Sequence, residues 1–186
     1  MHNYPFPIYL AASWATQQQT EICSDRISSW LYDESSLTKK LENLYTKFQV
    51  KVKQQLIINA SMTELSGYFA YESKILLREV FLYCNDIPVV FAQTEIPFST
   101  LTHKQTQLAE IGNQSLGKIL FQDQSMKRGP IEVAEFVENQ SLTNLCQSLK
   151  QDCPHSLWAR RSQFFLKDKP LLVSELFLPA SGIYQP

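Results

Sequence analysis

The sequence predicts an α+β fold, an antiparallel β-sheet with helices packed on one side. Three observations carry that expectation. Residues 48–58 alternate between apolar and polar side chains. Residues 75–84 and 88–96 are two apolar runs joined by Asn85-Asp86. Residues 161–167 and 171–178 repeat the arrangement around Lys167-Asp168-Lys169-Pro170. Runs joined by short turns form antiparallel hairpins, and the stretches between them show helical spacing. No internal repeat or linker divides the chain, so residues 1–186 are expected to form one domain.

The elements follow in order. Residues 1–20, with the polar run Gln17-Gln18-Gln19, read as a loosely attached lead-in. Ile22, Ile27, Trp30 and Leu31 suggest a short helix. Ser35 or Ser36 can cap a second, in which Leu37, Leu41 and Leu44 recur at i, i+4 and i+7. In 48–58, Phe48, Val50, Val52, Leu56 and Ile58 should face one way and Gln49, Lys51, Lys53 and Gln55 the other. The run ILLREVFLYC at 75–84 is a core strand that returns as 88–96. Thr102 can cap a helix over about 103–111, stopped by Gly112. A shorter helix or turn spans Leu116 to Phe121, and 131–137 has strand character. Residues 138–155 are polar, with Leu142, Leu145 and Leu149 at helical spacing, and read as an inserted helix.

Composition narrows the function. The net charge is -1, so no basic excess points to nucleic acid or an anionic membrane surface. No run of about 18 apolar residues predicts a membrane span. The N-terminal stretch Met1 to Ala12 has no basic start and carries Pro5 and Pro7, unlike a signal peptide. Cys23, Cys84, Cys146 and Cys153 form no dense framework and read as reduced thiols in a cytoplasmic protein. The five glycines, Gly67, Gly112, Gly117, Gly129 and Gly182, form no phosphate-cradling loop. His2, His103 and His155 form no HExxH and no cluster with carboxylates, so no catalytic metal is expected.

Two charges stand out. Arg78 shares a strand face with Leu76, Val80 and Leu82; Glu175 shares one with Leu171, Val173 and Phe177. An unpaired buried charge costs several kcal/mol, so each needs a partner. Two readings follow. The residues form a structural salt bridge, with each other or with Glu79. Or they line an internal cavity for a polar, anionic ligand, where Arg is the natural carboxylate clamp.

Weaker signals have plainer readings. Cys146, Cys153 and His155 fit no zinc spacing. Cys84 on a core strand reads as an inert buried thiol. Arg160-Arg161 with Lys127-Arg128 could attract an anionic substrate or form a solvated or structural basic face. The stripe Leu37, Leu41, Leu44 reads as core packing.

Five segments together resemble the chorismate pyruvate-lyase family, which makes 4-hydroxybenzoate for ubiquinone. They are SSLTKKLE at 35–42, LLREVFLYCNDIPVVFAQTEIPFSTL at 76–101, SLGKILF at 115–121, WARRSQF at 158–164 and KPLLVSELFLPASGIY at 169–184. The resemblance runs in consistent order from about Trp30 to Tyr184. It implies an enclosed pocket under helical flaps and a monomer without metal or cofactor. It also implies ligand contacts from Arg78 and Glu175, and main-chain contacts at Leu37 and Leu116. The sequence departs from the family's pattern in four places. Gln93 stands where an Arg is frequent, Glu95 where an apolar residue is usual and Ala159 where Gly is. The 138–155 segment is longer and is a candidate to alter access to the pocket.

The implied reaction breaks the enolpyruvyl ether C–O bond of chorismate, removes the ring hydrogen beside the hydroxyl and protonates the enolpyruvyl methylene. Aromatisation drives it, so the protein's task is positioning and charge stabilisation. In the arrangement the resemblance suggests, Arg78 takes the enolpyruvyl carboxylate and ether oxygen. Glu175 takes the ring hydroxyl, as base or as orienting group, and the amides of Leu37 and Leu116 take the other carboxylate. A binding module for a 4-hydroxybenzoate-like ligand, similar to effector-binding domains of bacterial transcription regulators, is the second function class. A purely structural protein is the third.

Overall fold

The computed structural model describes residues 13–22, 24–59 and 73–185. Most of the lead-in, Cys23 and Gly67 lie outside them. In chain order the elements are β1 (Ala15–Thr16), α1 (Asp25–Leu31), α2 (Leu37–Leu44), β2 (Phe48–Asn59), β3 (Lys74–Cys84) and β4 (Ile87–Pro97). Then come α3 (Leu116–Gln122), β5 (Met126–Arg128), β6 (Glu132–Val137), α4 (Gln140–Ser148), β7 (Ser156–Leu166) and β8 (Lys169–Phe177). All eight strands join one antiparallel sheet in the order β1-β6-β7-β8-β4-β3-β2, with β5 also paired to β7.

Turn chemistry sets both central hairpins. Asn85 and Asp86 have φ of 48° and 66°, and Lys167 and Asp168 have 50° and 63°. Two consecutive left-handed residues match the right-handed twist of the strands they join. The β7–β8 turn is therefore two residues long, tighter than the four-residue span expected, and Lys169 and Pro170 already belong to β8. Strand β7 starts at Ser156, five residues before the expected boundary at 161.

Strand β2 corrects the simple alternation. A bulge between Val52 and Gln54 inserts one residue against β3, so that Val52 pairs with Val80 but Gln54 with Glu79. A one-residue shift moves the side chains that follow it to the other face. Val50 therefore lies over the face of Val80 and Leu82. Leu56 and Ile58 lie over the opposite face with Leu77 and Ile75. The five residues expected on one side are split, and Val52 is 36% exposed.

Helices α1, α2 and α3 cover one face of the sheet, while α4 packs on the other. Trp30, Leu31, Leu41, Val80, Val90 and Phe177 form one buried cluster on the first face. Leu76, Ile96, Leu116, Leu120, Phe164 and Leu171 form a second beside it. Each such side chain contributes roughly 1.5–3 kcal/mol by leaving water. Leu142 and Cys146 of α4 join Phe91, Phe136, Ala159 and Leu176 on the far face. In α2, Leu37 and Leu41 are buried but Leu44 is 58% exposed, because it ends the helix beyond the core. The expected helix over 103–111 is a 3-10 segment, His103–Ala109. Thr102 makes no side-chain cap there and instead accepts a hydrogen bond from Lys169 Nζ.

Candidate active site

The space between the two clusters on the first face is a cavity bounded by the sheet and by the first turns of α2 and α3. The sheet supplies its floor in two adjacent rows. One row is Arg78, Thr94, Val173 and Ser162; the other is Val80, Ala92, Glu175 and Arg160. Arg78 and Glu175 therefore point into the same cavity from strands separated by β4, offset by two residues. From strand spacing and rise, their Cα atoms stand roughly 12 Å apart. They are not each other's partners.

Arg78 is 2% exposed. Its Nη2 donates to the carbonyls of Gly112 at 2.7 Å and Gln114 at 3.2 Å, in the turn that leads into α3. Gly112 sits at φ 53°, the left-handed conformation such a turn favours. Nε is buried without a hydrogen-bond partner, and among the described residues no carboxylate lies within ion-pair distance. Burial lowers the guanidinium pKa to about 10. Arg78 thus remains a cation near neutral pH, held by carbonyls and lacking a counter-charge. Glu79, offered as a partner by the sequence, points to the opposite face. There Lys53 Nζ and Gln54 Nε2 donate to it at 2.9 and 2.7 Å.

Glu175 has a partner that the sequence offers either as an attractor of an anionic substrate or as part of a basic face. Arg160, 2% exposed, donates from Nε to Glu175 Oε2 at 2.6 Å, directly across the β7–β8 pair. Its Nη1 donates to the carbonyls of Trp30 at 3.0 Å, Leu31 at 3.4 Å and Asp33 at 2.8 Å. These are orphan carbonyls at the end of α1, which a cationic side chain satisfies well. With β7 starting at Ser156, Trp158, Arg160, Ser162 and Phe164 share a face. Arg160 is then a third charge on an apolar face, found by the same parity that picked out Arg78 and Glu175. Arg161 points the other way, and its Nε pairs with Glu132 at 2.6 Å.

Arg128, at the end of β5, adds a third guanidinium to the cavity wall. Its Nε donates to Ser162 Oγ at 3.0 Å and its Nη1 to the Glu34 carbonyl at 3.0 Å. Burial lowers its pKa, and neighbouring Arg160 lowers it further.

The roof is made by the first turns of α2 and α3. Ser36 caps α2 by accepting from Lys39 N, and Ser115 caps α3 by accepting from Lys118 N. Thr38 Oγ1 and Ser115 Oγ are 2.6 Å apart, so the two helix starts touch above the cavity. Gly117 permits this approach, since a Cβ there would lie 3.1 Å from Thr38 Oγ1. Leu37 and Leu116 are the first residues of their helices and line the same space. Their N–H groups precede the first intrahelical bonds and are available to an acceptor.

Other candidates fall outside the cavity. No residue of 138–155 lines it. Gln93 is fully buried on the opposite face, with both amide atoms unpartnered. Cys146 contacts Cys153, and burial with that contact pushes its thiol up to about 12. Burial pushes the Cys84 thiol up to about 11. His155 is exposed beside Glu138 at 3.5 Å. Among the described residues no three His, Cys, Asp or Glu side chains gather into a metal-binding cluster.

Comparison with known proteins bears on this site. A family model described as Chorismate lyase matches residues 9–186. A Psychromonas ingrahamii protein named "Probable chorismate pyruvate-lyase" is 52% identical over 180 residues, covering 97% of each chain. The Pectobacterium atrosepticum "Chorismate pyruvate-lyase" is 34% identical over 173 residues, covering 92% of this chain and 87% of its own. The effector domain of PhnF from Mycobacterium smegmatis shares the fold, with a TM-score of 0.57 at 12% identity, covering 78% of this chain and 89% of that one. The ligand-binding domain of a putative GntR-family regulator from Bordetella bronchiseptica does too, with a TM-score of 0.54 at 12% identity, over 73% and 86% of the two chains. Match length, identity over nearly the whole chain and the buried charges at one cavity agree, and the chain belongs to the chorismate lyase family.

Proposed function

We propose that the protein converts chorismate to 4-hydroxybenzoate and pyruvate, the first step of ubiquinone biosynthesis. The observation that carries this reading is Arg78 and Glu175 facing one cavity from strands separated by β4. A ring with a carboxylate at one carbon and a hydroxyl at the para carbon needs a cation and an acceptor placed in that way.

The geometry supports a different division of the two carboxylates from the one the sequence suggested. Arg78 is tied to the turn that enters α3, so it belongs with the N–H groups of Leu37 and Leu116. Together they suit the ring carboxylate. Glu175, beside Arg160, suits the hydroxyl. The ether C–O bond then breaks, the hydrogen at the hydroxyl-bearing carbon leaves, and a proton reaches the enolpyruvyl methylene to complete pyruvate. Glu175 already accepts a charge-assisted hydrogen bond from Arg160, which favours an orienting role with hydrogen passing directly from ring to methylene. The helix starts over the cavity would limit access of water to the reacting centre and make product release a candidate slow step.

The elimination is driven by aromatisation, and we take it to proceed without metal or organic cofactor. We take the enzyme to be a monomeric, single-domain cytoplasmic protein without a nucleic-acid partner. The net charge of -1 fits this reading. No described helix is long and apolar enough to cross a membrane. The fold shared with effector domains keeps a binding-only module as the rival. Incubation with chorismate decides: pyruvate and 4-hydroxybenzoate should form in equal amounts, and Arg78→Ala should abolish their formation in a folded chain. Binding without consumption would establish the rival instead.

A further inference from the structure

We propose that Arg128 receives the enolpyruvyl carboxylate of the substrate, the one that leaves as pyruvate, an inference that rests on the lyase reading above. A count of charges leads there. Among the described residues the cavity wall holds three guanidinium groups, Arg78, Arg128 and Arg160, and one carboxylate, Glu175. Arg160 is compensated by Glu175 at 2.6 Å. Among the described residues, neither Arg78 nor Arg128 has a carboxylate within 4.0 Å; Glu34 and Asp33 accept from Arg128 through their carbonyls, at 3.0 and 3.5 Å, and the Asp33 carboxylate is paired with Lys40 at 2.9 Å. Two cations without an ion-paired carboxylate on the wall of one mostly apolar cavity suit a dianion.

Position separates their roles. Arg78 lies two strands from Glu175, at the end of the floor nearest α3. Arg128 reaches in from β5 and donates to Ser162, the residue two along from Arg160 on the same face of β7. It senses the charges of both Arg160 and Glu175. In chorismate the enolpyruvyl ether is carried on the ring carbon next to the hydroxyl carbon. With the hydroxyl at Glu175, an enolpyruvyl group on the neighbouring carbon directed toward Ser162 would meet Arg128, while the ring carboxylate occupies Arg78. Nε and Nη1 of Arg128 donate to Ser162 and the Glu34 carbonyl, and among the described residues Nη2 makes no hydrogen bond. The Nη2 N–H groups are left to donate from a guanidinium fixed at its other two nitrogens, which is a pre-organised site for an anion.

The inference has a consequence for the product. 4-Hydroxybenzoate keeps the ring carboxylate and the hydroxyl but has lost the enolpyruvyl group. Arg128 should therefore recognise substrate and not product. The experiment compares the KM for chorismate with the inhibition constant for 4-hydroxybenzoate in wild type, Arg128→Gln and Arg128→Lys. The expected result is a KM about 10- to 100-fold higher for the Gln variant, the range of one lost charge-assisted hydrogen bond. The Lys variant should lie between, and product inhibition should stay within about threefold of wild type in both. Equal movement of both constants would mean that Arg128 only braces the Glu34 segment and overturns the assignment, as would no movement of either. A wild type that consumes no chorismate overturns the lyase reading first, and this assignment with it.

Discussion

Arg160 Nε meets Glu175 Oε2 at 2.6 Å while Arg160 Nη1 holds the carbonyls at the end of α1. One side chain thus ties the end of α1, on the same face of the sheet, to a residue that lines the cavity. Replacing Arg160 with Gln leaves Glu175, itself 17% exposed, and three carbonyls without their cation. Breaking one side of a buried pair costs about 3–5 kcal/mol. A Tm lowered by several degrees is expected, together with kcat/KM reduced by at least about tenfold. Arg160→Lys should recover part of the stability but little of the rate, because a point charge cannot serve the carboxylate and the carbonyls together. Denaturation and steady-state kinetics on the two variants check this, and equal recovery of both quantities would contradict the positioning role.

The part of Glu175 in the chemistry is separable by substitution. As an orienting group it needs a hydrogen-bonding head of the right shape and no exchangeable charge. Glu175→Gln should then lose about tenfold or less in kcat, and Glu175→Ala about 100-fold or more. An obligatory proton acceptor would make the Gln variant as slow as the Ala variant. Single-turnover measurement isolates the chemical step from release of product.

Much of this site is written in strand parity. Arg78 and Glu175 are visible because each interrupts an apolar face, and a period of two is enough to see it. Arg160 escapes only because the expected strand boundary falls one residue after it; extending β7 to Ser156 exposes it by the same test. The β2 bulge is different. Nothing in the run Val50, Val52, Leu56, Ile58 announces the inserted residue, which is set by pairing with β3. Contacts between remote segments leave no local trace either. Neither SSLTKKLE nor SLGKILF reveals that Thr38 and Ser115 touch, and whether Arg128 serves an anionic substrate or a basic face is not legible until β5 is seen against β7. The family resemblance supplied Leu37 and Leu116, which act through main chain and so carry no side-chain signal.

The contact between Thr38 and Ser115 predicts a kinetic effect. Their hydroxyls, 2.6 Å apart, join the starts of α2 and α3 over the cavity. Thr38→Val keeps the shape and removes the hydrogen bond, worth about 1 kcal/mol, or roughly fivefold in an equilibrium. If the ligand escapes between these helices, 4-hydroxybenzoate should dissociate about 3- to 10-fold faster, with stability changed by less than about 1 kcal/mol. Stopped-flow displacement of bound product measures the rate directly. An unchanged off-rate would place the exit elsewhere.

Glu95 predicts how stability varies with pH. It is fully buried on the face away from the cavity, and neither carboxyl oxygen has a hydrogen-bond partner. Burial raises its pKa from 4.5 to about 8, and the attraction of Arg161 offsets only part of that. Between these two values the folded chain holds a proton that the unfolded chain has released, so stability falls as pH rises. The contribution is intact below about pH 4.5 and lost once pH passes about 8. At roughly 1.4 kcal/mol per unit, the decline is on the order of several kcal/mol. Glu95→Gln removes the titration, so the variant should gain on wild type steadily between pH 5 and 8, to within about one unit at either end. Activity at neutral pH should stay near that of wild type, because the neighbouring Thr94 alone faces the cavity floor. Urea denaturation across this range tests the slope, and parallel curves for the two proteins would show that Glu95 is ionised within the fold at neutral pH.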